Sequence, residues 1–311
     1  MAHTAHQVMA HPILCVDIGG TSTKAAILKP GGQLDFIHSI DTVPGVERYF
    51  GAVIDLIRQV RNRAPDVSEM GVSVAGFLDD GRTRLIYNPN IKWLENFPLH
   101  ERLCQSFPDL RIELEVDSNA AAMAEYRLGS GRGHRRFLCV VCGTGLGVGM
   151  SVDGAPLRFA YGCLGDIGHV IVDRNGPPCS CGGRGCAEAM IGAPALVDRF
   201  KSLVHLHEAV TLQTIIERAN AGDQRAAQVI VHAGEWLGVA LASIANILFP
   251  DRIAIAGGLS AAGDLLIAPA SRVFQELAST AVRQRATITR ATLGPLASLS
   301  GAAWPFWRHC Q

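Results

Sequence analysis

Apolar runs and polar breaks divide the chain into two stretches of similar plan. Ile13 to Leu28, ILCVDIGGTSTKAAIL, reads as an apolar strand, a glycine turn and a returning strand. In YFGAVIDLIRQVRNRA the apolar residues Val53, Ile54, Ile57 and Val60 recur at helical spacing. A further strand-like run, EMGVSVAGFLD, closes on Asp79. RIELEVDSNAAAMAEYRLG passes from alternating strand into an Ala-rich helix, expected to begin near Ser118 and to stop at Gly129. Arg136 to Leu157, RFLCVVCGTGLGVGMSVDGAPL, repeats the plan of strand, glycine turn and strand, then turns at Asp153-Gly154. The remaining chain alternates helices, APALVDRFKSLVHLH and QRAAQVIVHAGEWLGVALASIANIL, with the strand RIAIAGG.

The two hairpins echo one another, 125 positions apart when measured from Asp17 to Cys142, and suggest two related halves. Strands mixed with helices throughout predict an α/β or α+β fold in two lobes. The expected organisation is a flexible tail over 1–12, an N-terminal α/β lobe over 13–117 and a C-terminal α/β lobe over 118–311. The second lobe contains a cysteine loop at 169–186, and its last helix is free to pack back on the first lobe.

Composition narrows the partners. Of 311 residues, 28 are Lys or Arg and 28 are Asp or Glu, so no net charge marks the chain for nucleic acid or anionic lipid. At 48% hydrophobic and 18% charged it is globular rather than disordered. No uninterrupted apolar run approaches the roughly 18 residues of a membrane span, and MAHTAHQVMAHP lacks the pattern of a signal peptide. Nine cysteines, several of them (Cys15, Cys139, Cys142) in apolar strand-like runs, read as buried thiols of a reducing cytoplasm.

The glycine turns are the first candidate chemistry. DIGGTSTK places Asp17 at a strand end before Gly19 and Gly20, whose backbone N–H groups can approach a phosphate while the carboxylate holds Mg²⁺. A plain tight hairpin accounts for the same residues. CGTGLGVG offers a second set in Gly143, Thr144, Gly145 and Gly147, so two hairpins would clamp a polyphosphate. Gly257 and Gly258, ending RIAIAGG, offer a flat surface for adenine or ribose. Asp117, between a strand and a helix, suits a base that orients and deprotonates an attacking hydroxyl; a helix N-cap uses Asp in the same place. His169, Cys179, Cys181 and Cys186 have the spacing H-x9-C-x-C-x4-C, a closed donor set for structural, tetrahedral Zn²⁺. An odd cysteine count and the poor geometry of C-x-C neighbours argue against disulfides there.

In order, DIGGTSTK, VDSNAAAMAE, GTGLGVG, GDIGH, GPPCSCGGRGCAE, IAIAGG and LGPLASLSGAAW resemble the ROK family (repressors, open reading frames, kinases) from Ile13 to Trp304. That resemblance implies a two-lobed actin-like ATPase fold of the hexokinase, Hsp70 and ribonuclease H type, with its active site in the interdomain cleft. It also implies phosphorylation of a sugar hydroxyl, usually O6 of a hexose, by Mg·ATP. Asp117 falls on the family's catalytic base. Asn90, Gly76, Asp166, His169 and Glu188 fall on sugar-binding positions, His169 doubling as a zinc ligand. Asp17, Gly19, Gly20, Thr21 and Lys24, with Gly143, Thr144 and Gly145, match the phosphate hairpins. A homodimer is a further implication.

Three positions depart from the pattern. Asp166 stands where the family commonly has Glu, Val116 where it has Asn, and Ala75 where it has Pro. The expected activity is a hexose kinase with glucose ahead of N-acetylhexosamines, fructose and other amino sugars, with polyphosphate as an alternative donor. The rival class is a sugar-sensing ROK regulator. The 16 residues before Asp17 are too few for the DNA-binding domain such regulators carry.

Overall fold

Each glycine hairpin opens a β-sheet, and the two sheets are built alike. In the computed structural model, which describes residues 9–88, 91–205 and 208–307, the chain forms two units. The first comprises the chain up to Leu128, Gly154–Gly165 and the end from Leu296; the second comprises Gly129–Asp153 and Asp166–Pro295.

The first unit is a sheet of β1 (Ile13–Ile18), β2 (Ser22–Leu28), β3 (Leu34–Asp41), β4 (Glu69–Val74) and, after the short hairpin β5 (Phe77–Leu78) and β6 (Leu85–Tyr87), β7 (Arg111–Val116). Its order is β3-β2-β1-β4-β7. β1 pairs antiparallel with β2, whereas β1, β4 and β7 run parallel. Helices α1 (Val46–Arg61), α2 (Leu99–Ser106) and α3 (Asp117–Leu128) complete it, with a last short helix near the C-terminus. The apolar stripe of α1, including Tyr49, Val53, Ile57 and Val60, is buried in one core with Leu14, Val16, Val72 and Leu114 from the strands.

In the second unit β8 (Arg136–Cys142) and β9 (Leu146–Val152) form the antiparallel hairpin. The two-residue strand β10 (Ala155–Pro156) lies within the Gly154–Gly165 segment of the first unit, and β11 (Arg252–Ala256) and β12 (Thr287–Arg290) add on parallel to β8. The plan of hairpin plus two parallel strands therefore recurs, as the echo in sequence suggested. Helices α4 (Ala187–Ile191), α5 (Ala193–Val204), α6 (Leu212–Asn220), α7 (Gln224–Leu248), α8 (Asp264–Leu277) and α9 (Thr280–Arg283) surround it. By length and composition α7 is able to cross a membrane, which a count of uninterrupted apolar runs overlooks. Twelve of its residues, Ala226 to Ala245, are nevertheless buried, as in the core helix of a globular unit.

The boundary between units falls after α3, not before it at 117/118. Ala120, Ala121, Ala122 and Ala124 are all buried, and their small side chains let α10 (Ala297–Gly301) pack closely: a Cβ on Gly301 would overlap the Ala120 carbonyl. The terminal helix thus belongs to the first unit, as does the excursion Gly154–Gly165. Of the expected tail, residues 1–8 lie outside the described residues. Met9 is buried, and His11 Nε2 lies 2.9 Å from Glu69 Oε2.

Candidate active site

Parallel pairing of β1, β4 and β7 puts their C-terminal ends on one edge of the first sheet. Asp17 lies opposite Ser73 in register, Val74 lies opposite Val116, and Asp117 is the next residue, opening α3. Such an edge is where open α/β sheets collect ligand-binding groups. Both Asp17 oxygens are engaged: Ser73 Oγ donates to Oδ1, and Ser298 Oγ of α10 donates to Oδ2 at 2.9 Å. Burial raises the Asp17 carboxyl above its ordinary range, opposed by the two hydroxyls and by the positive Lys24 beside it.

Asp117 is shifted in the same direction. Burial pushes its carboxyl up to about 7; the negative Asp17 adds to the shift, and the Ser118 N–H, donating to Oδ1 at 2.7 Å, opposes it. The two carboxylates lie in each other's field, and a cation would relieve both. Asp17 is therefore a fitting Mg²⁺ ligand by chemistry, with lone pairs to spare beyond its serine donors.

The turn of the first hairpin is pinned from β3 and just beyond. Thr42 Oγ1 donates to the Gly19 carbonyl at 2.8 Å, and the Thr42 N–H to Thr21 at 2.9 Å. Thr21 itself is exposed at the tip, beside half-buried Gly19 and Gly20. The next loop starts with the Ala75 N–H donating to Ile18 at 3.0 Å and then turns at Gly76 with φ 106°. Asn88, buried, bridges this turn to its neighbour: its Nδ2 donates to Ala75 and its Oδ1 accepts from the Ile91 N–H at 3.3 Å. Asn90 lies outside the described residues.

In the second unit Gly143 N–H closes the turn on the Gly145 carbonyl at 2.9 Å. Glu188, at the start of α4, accepts the Leu146 N–H through Oε2 at 3.0 Å, and a Cβ on Gly145 would overlap that oxygen. Gly257, at φ 81°, packs over Cys142 at the end of β8, and Gly258 opens the following turn of helix. Thr144 and Glu188 also line a cavity of about 500 Å³ together with Pro178, Pro194, Asp198 and Arg199.

His169, Cys179, Cys181 and Cys186 converge, their ligand atoms all within 4.8 Å of one another. Cys181 Sγ lies 3.7 Å from Cys186 Sγ, and Cys179 Sγ lies 3.5 Å from His169 Nδ1. A tetrahedral zinc with its usual bond lengths separates its ligand atoms by about 3.5–3.8 Å, so the donor set fits. These sulfurs are too far apart for a disulfide, and none of the eight cysteines among the described residues forms one. Cys186 is pushed up to about 12 by burial and the neighbouring thiols, a cost that a bound cation removes. Asp166, exposed, places Oδ1 3.7 Å from His169 Nε2, the ring nitrogen facing away from Cys179.

The sequence motifs missed the residues that brace these groups. Ser73 had a signal, a polar residue within the apolar run of β4. Ser298 and Thr42 had none, because each meets its partner only through folding.

A family model described as ROK family matches residues 13–308. The chain is 31% identical to a glucokinase of Halalkalibacterium halodurans over 313 positions, covering 93% of each chain. It superposes on a ROK family glucokinase from Streptomyces griseus in complex with glucose and AMPPNP with a TM-score of 0.85. Identity there is 30%, covering 94% of this chain and 98% of that one. A xylose repressor of Bacillus spizizenii is 27% identical, but the match spans only 60% of its length.

Proposed function

Because the chain belongs to the ROK family and has its two-lobed actin-like ATPase fold, we propose that it is a sugar kinase transferring the γ-phosphoryl group of ATP to a hexose hydroxyl. O6 is the favoured acceptor and glucose the favoured sugar. The observation that carries this reading is Asp117: a carboxyl with a proton affinity near neutrality, fixed at the start of a helix on the ligand-binding edge of a parallel sheet.

Asp117 orients the sugar hydroxyl and takes its proton as the oxygen bonds to the γ-phosphorus and the bond to the β-phosphate oxygen breaks, releasing ADP. The turns at Gly19–Thr21 and Gly143–Gly145 supply N–H groups to the phosphates, with Lys24 adding charge and Gly257–Gly258 facing the nucleoside. Asp17 would hold the Mg²⁺ that accompanies ATP, whose charge would offset that of the phosphates. Gly76, Asn90, Asp166, His169 and Glu188 bind the sugar. Zinc on His169, Cys179, Cys181 and Cys186 would be structural and would fix the loop between His169 and Glu188. Cysteines without disulfides among the described residues fit a cytoplasmic enzyme. Exposed Ile247, Phe249 and Leu277, at the adjoining ends of α7 and α8, suit a homodimer contact.

A coupled ADP-release assay with Mg·ATP over glucose, fructose, N-acetylglucosamine and N-acetylmannosamine tests the reading. Glucose is expected to give the highest kcat/KM. If one sugar binds tightly while none is phosphorylated, the sugar-sensing regulator replaces the kinase. Polyphosphate in place of ATP decides the donor.

A further inference from the structure

Glu115 stands two residues before Asp117 on β7 and has no exposed surface. A buried carboxylate survives only with compensating donors, and Glu115 has them on both oxygens. Oε1 accepts from the Val116 N–H and from Asn119 Nδ2, each at 3.0 Å. Oε2 accepts from Trp304 Nε1 at 2.8 Å and from the Arg158 guanidinium, with Arg82 Nη1 3.5 Å away.

The two oxygens serve different parts of the chain. Val116 and Asn119 flank Asp117, so Oε1 grips the junction from which the candidate base projects. Oε2 reaches the excursion that returns to the first unit, the C-terminal segment and the β5–β6 hairpin. Asn119 Nδ2 also donates to the Gly162 carbonyl at 2.7 Å, so the excursion is held at Arg158 and again at Gly162. Arg158 lies over the Trp304 ring, 5.6 Å from its centroid. Packing alone would be met as well or better by apolar residues, since a buried ion pair is a weak source of stability. A network of directed donors instead fixes one geometry.

We propose that Glu115 is a positioning residue for phosphoryl transfer: its carboxylate fixes the β7–α3 junction carrying Asp117 and clamps to it the segment 158–162, from which the chain runs on to Asp166. Glu115 acts through Asp117 and does not touch the sugar. The inference rests on the kinase reading.

Glu115→Gln keeps the size but turns an N–H against one of the donors. Trp304→Phe removes the indole N–H donor while keeping a smaller aromatic ring; it carries the test if Glu115→Gln does not fold. Both are compared with wild type on the best hexose, with folded protein verified by circular dichroism and thermal melting. A misplaced base is expected to lower kcat about 100-fold in Glu115→Gln and about tenfold in Trp304→Phe, with the KM for ATP within about twofold. The hexose phosphate formed per ADP released is also expected to fall, because water competes when the sugar hydroxyl is poorly oriented. Loss of folded protein alone leaves that ratio unchanged. Folded variants with wild-type kcat and ratio overturn the inference and leave Glu115 a stability residue. A wild type that phosphorylates no hexose overturns the kinase reading, and this inference with it.

Discussion

Gly145 and Glu188 share one space: a side-chain carbon on Gly145 would overlap Glu188 Oε2, the oxygen that accepts the Leu146 N–H. The second glycine turn and the exit of the cysteine loop are therefore a single fitted piece. Glu188 comes to rest on the second glycine hairpin only because position 145 lacks a Cβ. Gly145→Ala is expected to push Glu188 off the hairpin and lower kcat/KM for the sugar about 100-fold. The thermal midpoint should fall by only a few degrees, as for a loss of about 1–2 kcal/mol. Kinetics and melting on one preparation check this, and an Ala variant of wild-type activity would remove the coupling.

Zinc is expected at about one atom per chain by elemental analysis. Cys181 is the most exposed of the donors, so Cys181→Ser disturbs the surrounding packing least while removing a ligand. The variant is predicted to lose the metal, melt at lower temperature and lose turnover with it. Metal-free wild type with full activity and an unchanged melting temperature would contradict a structural zinc that fixes this loop.

Asp166 falls short of His169 by a small gap, 3.7 Å from carboxylate to ring nitrogen. Asp166→Glu adds one methylene and brings the carboxylate within hydrogen-bond reach of Nε2, orienting the ring for the metal. Zinc retention against a chelator is predicted to improve several-fold, since partners behind a ligating His typically change affinity by about tenfold or more. Unchanged chelator competition would show that Asp166 acts elsewhere.

The pH dependence has two arms with defined signs. Asp117 must be ionised to act as base, so kcat/KM for the sugar is predicted to fall about tenfold per pH unit below about 7. Stability runs the other way. The Asp117 carboxyl is raised from 3.8 to about 7 in the folded chain. Its contribution is therefore fully present below about 3.8 and lost as pH rises through 7. Asp117→Asn is predicted to melt progressively higher relative to wild type as pH rises from about 4 to about 7, with the difference level above that. A difference independent of pH would contradict the buried, charge-coupled setting.

Much of this arrangement could be read in the chain itself. The hairpins at Asp17 and Cys142 declared themselves because strand alternation and glycine turns are local signals. The cysteine loop did so because metal donors at short spacing have few other uses. The boundary between units was less legible. α3 is Ala-rich and buried nearly all round, so it carries no amphipathic stripe to say which sheet it joins. The Ser298 hydroxyl reaches Asp17 across 281 positions, which no local pattern encodes. In RIELEV the alternation marks Glu113 and Glu115 alike as outward-facing. Only the folded chain shows that Arg158 and Trp304 cover Glu115 while Glu113 stays half-exposed.

Asp117 is proposed to take the proton from the sugar hydroxyl. Glucose phosphorylation and calorimetric glucose binding, measured side by side for wild type and Asp117→Ala, test it most directly. Turnover is expected to fall at least about 1,000-fold, with glucose binding retained within about tenfold. An Asp117→Ala enzyme that phosphorylates glucose at a rate near that of wild type would contradict it.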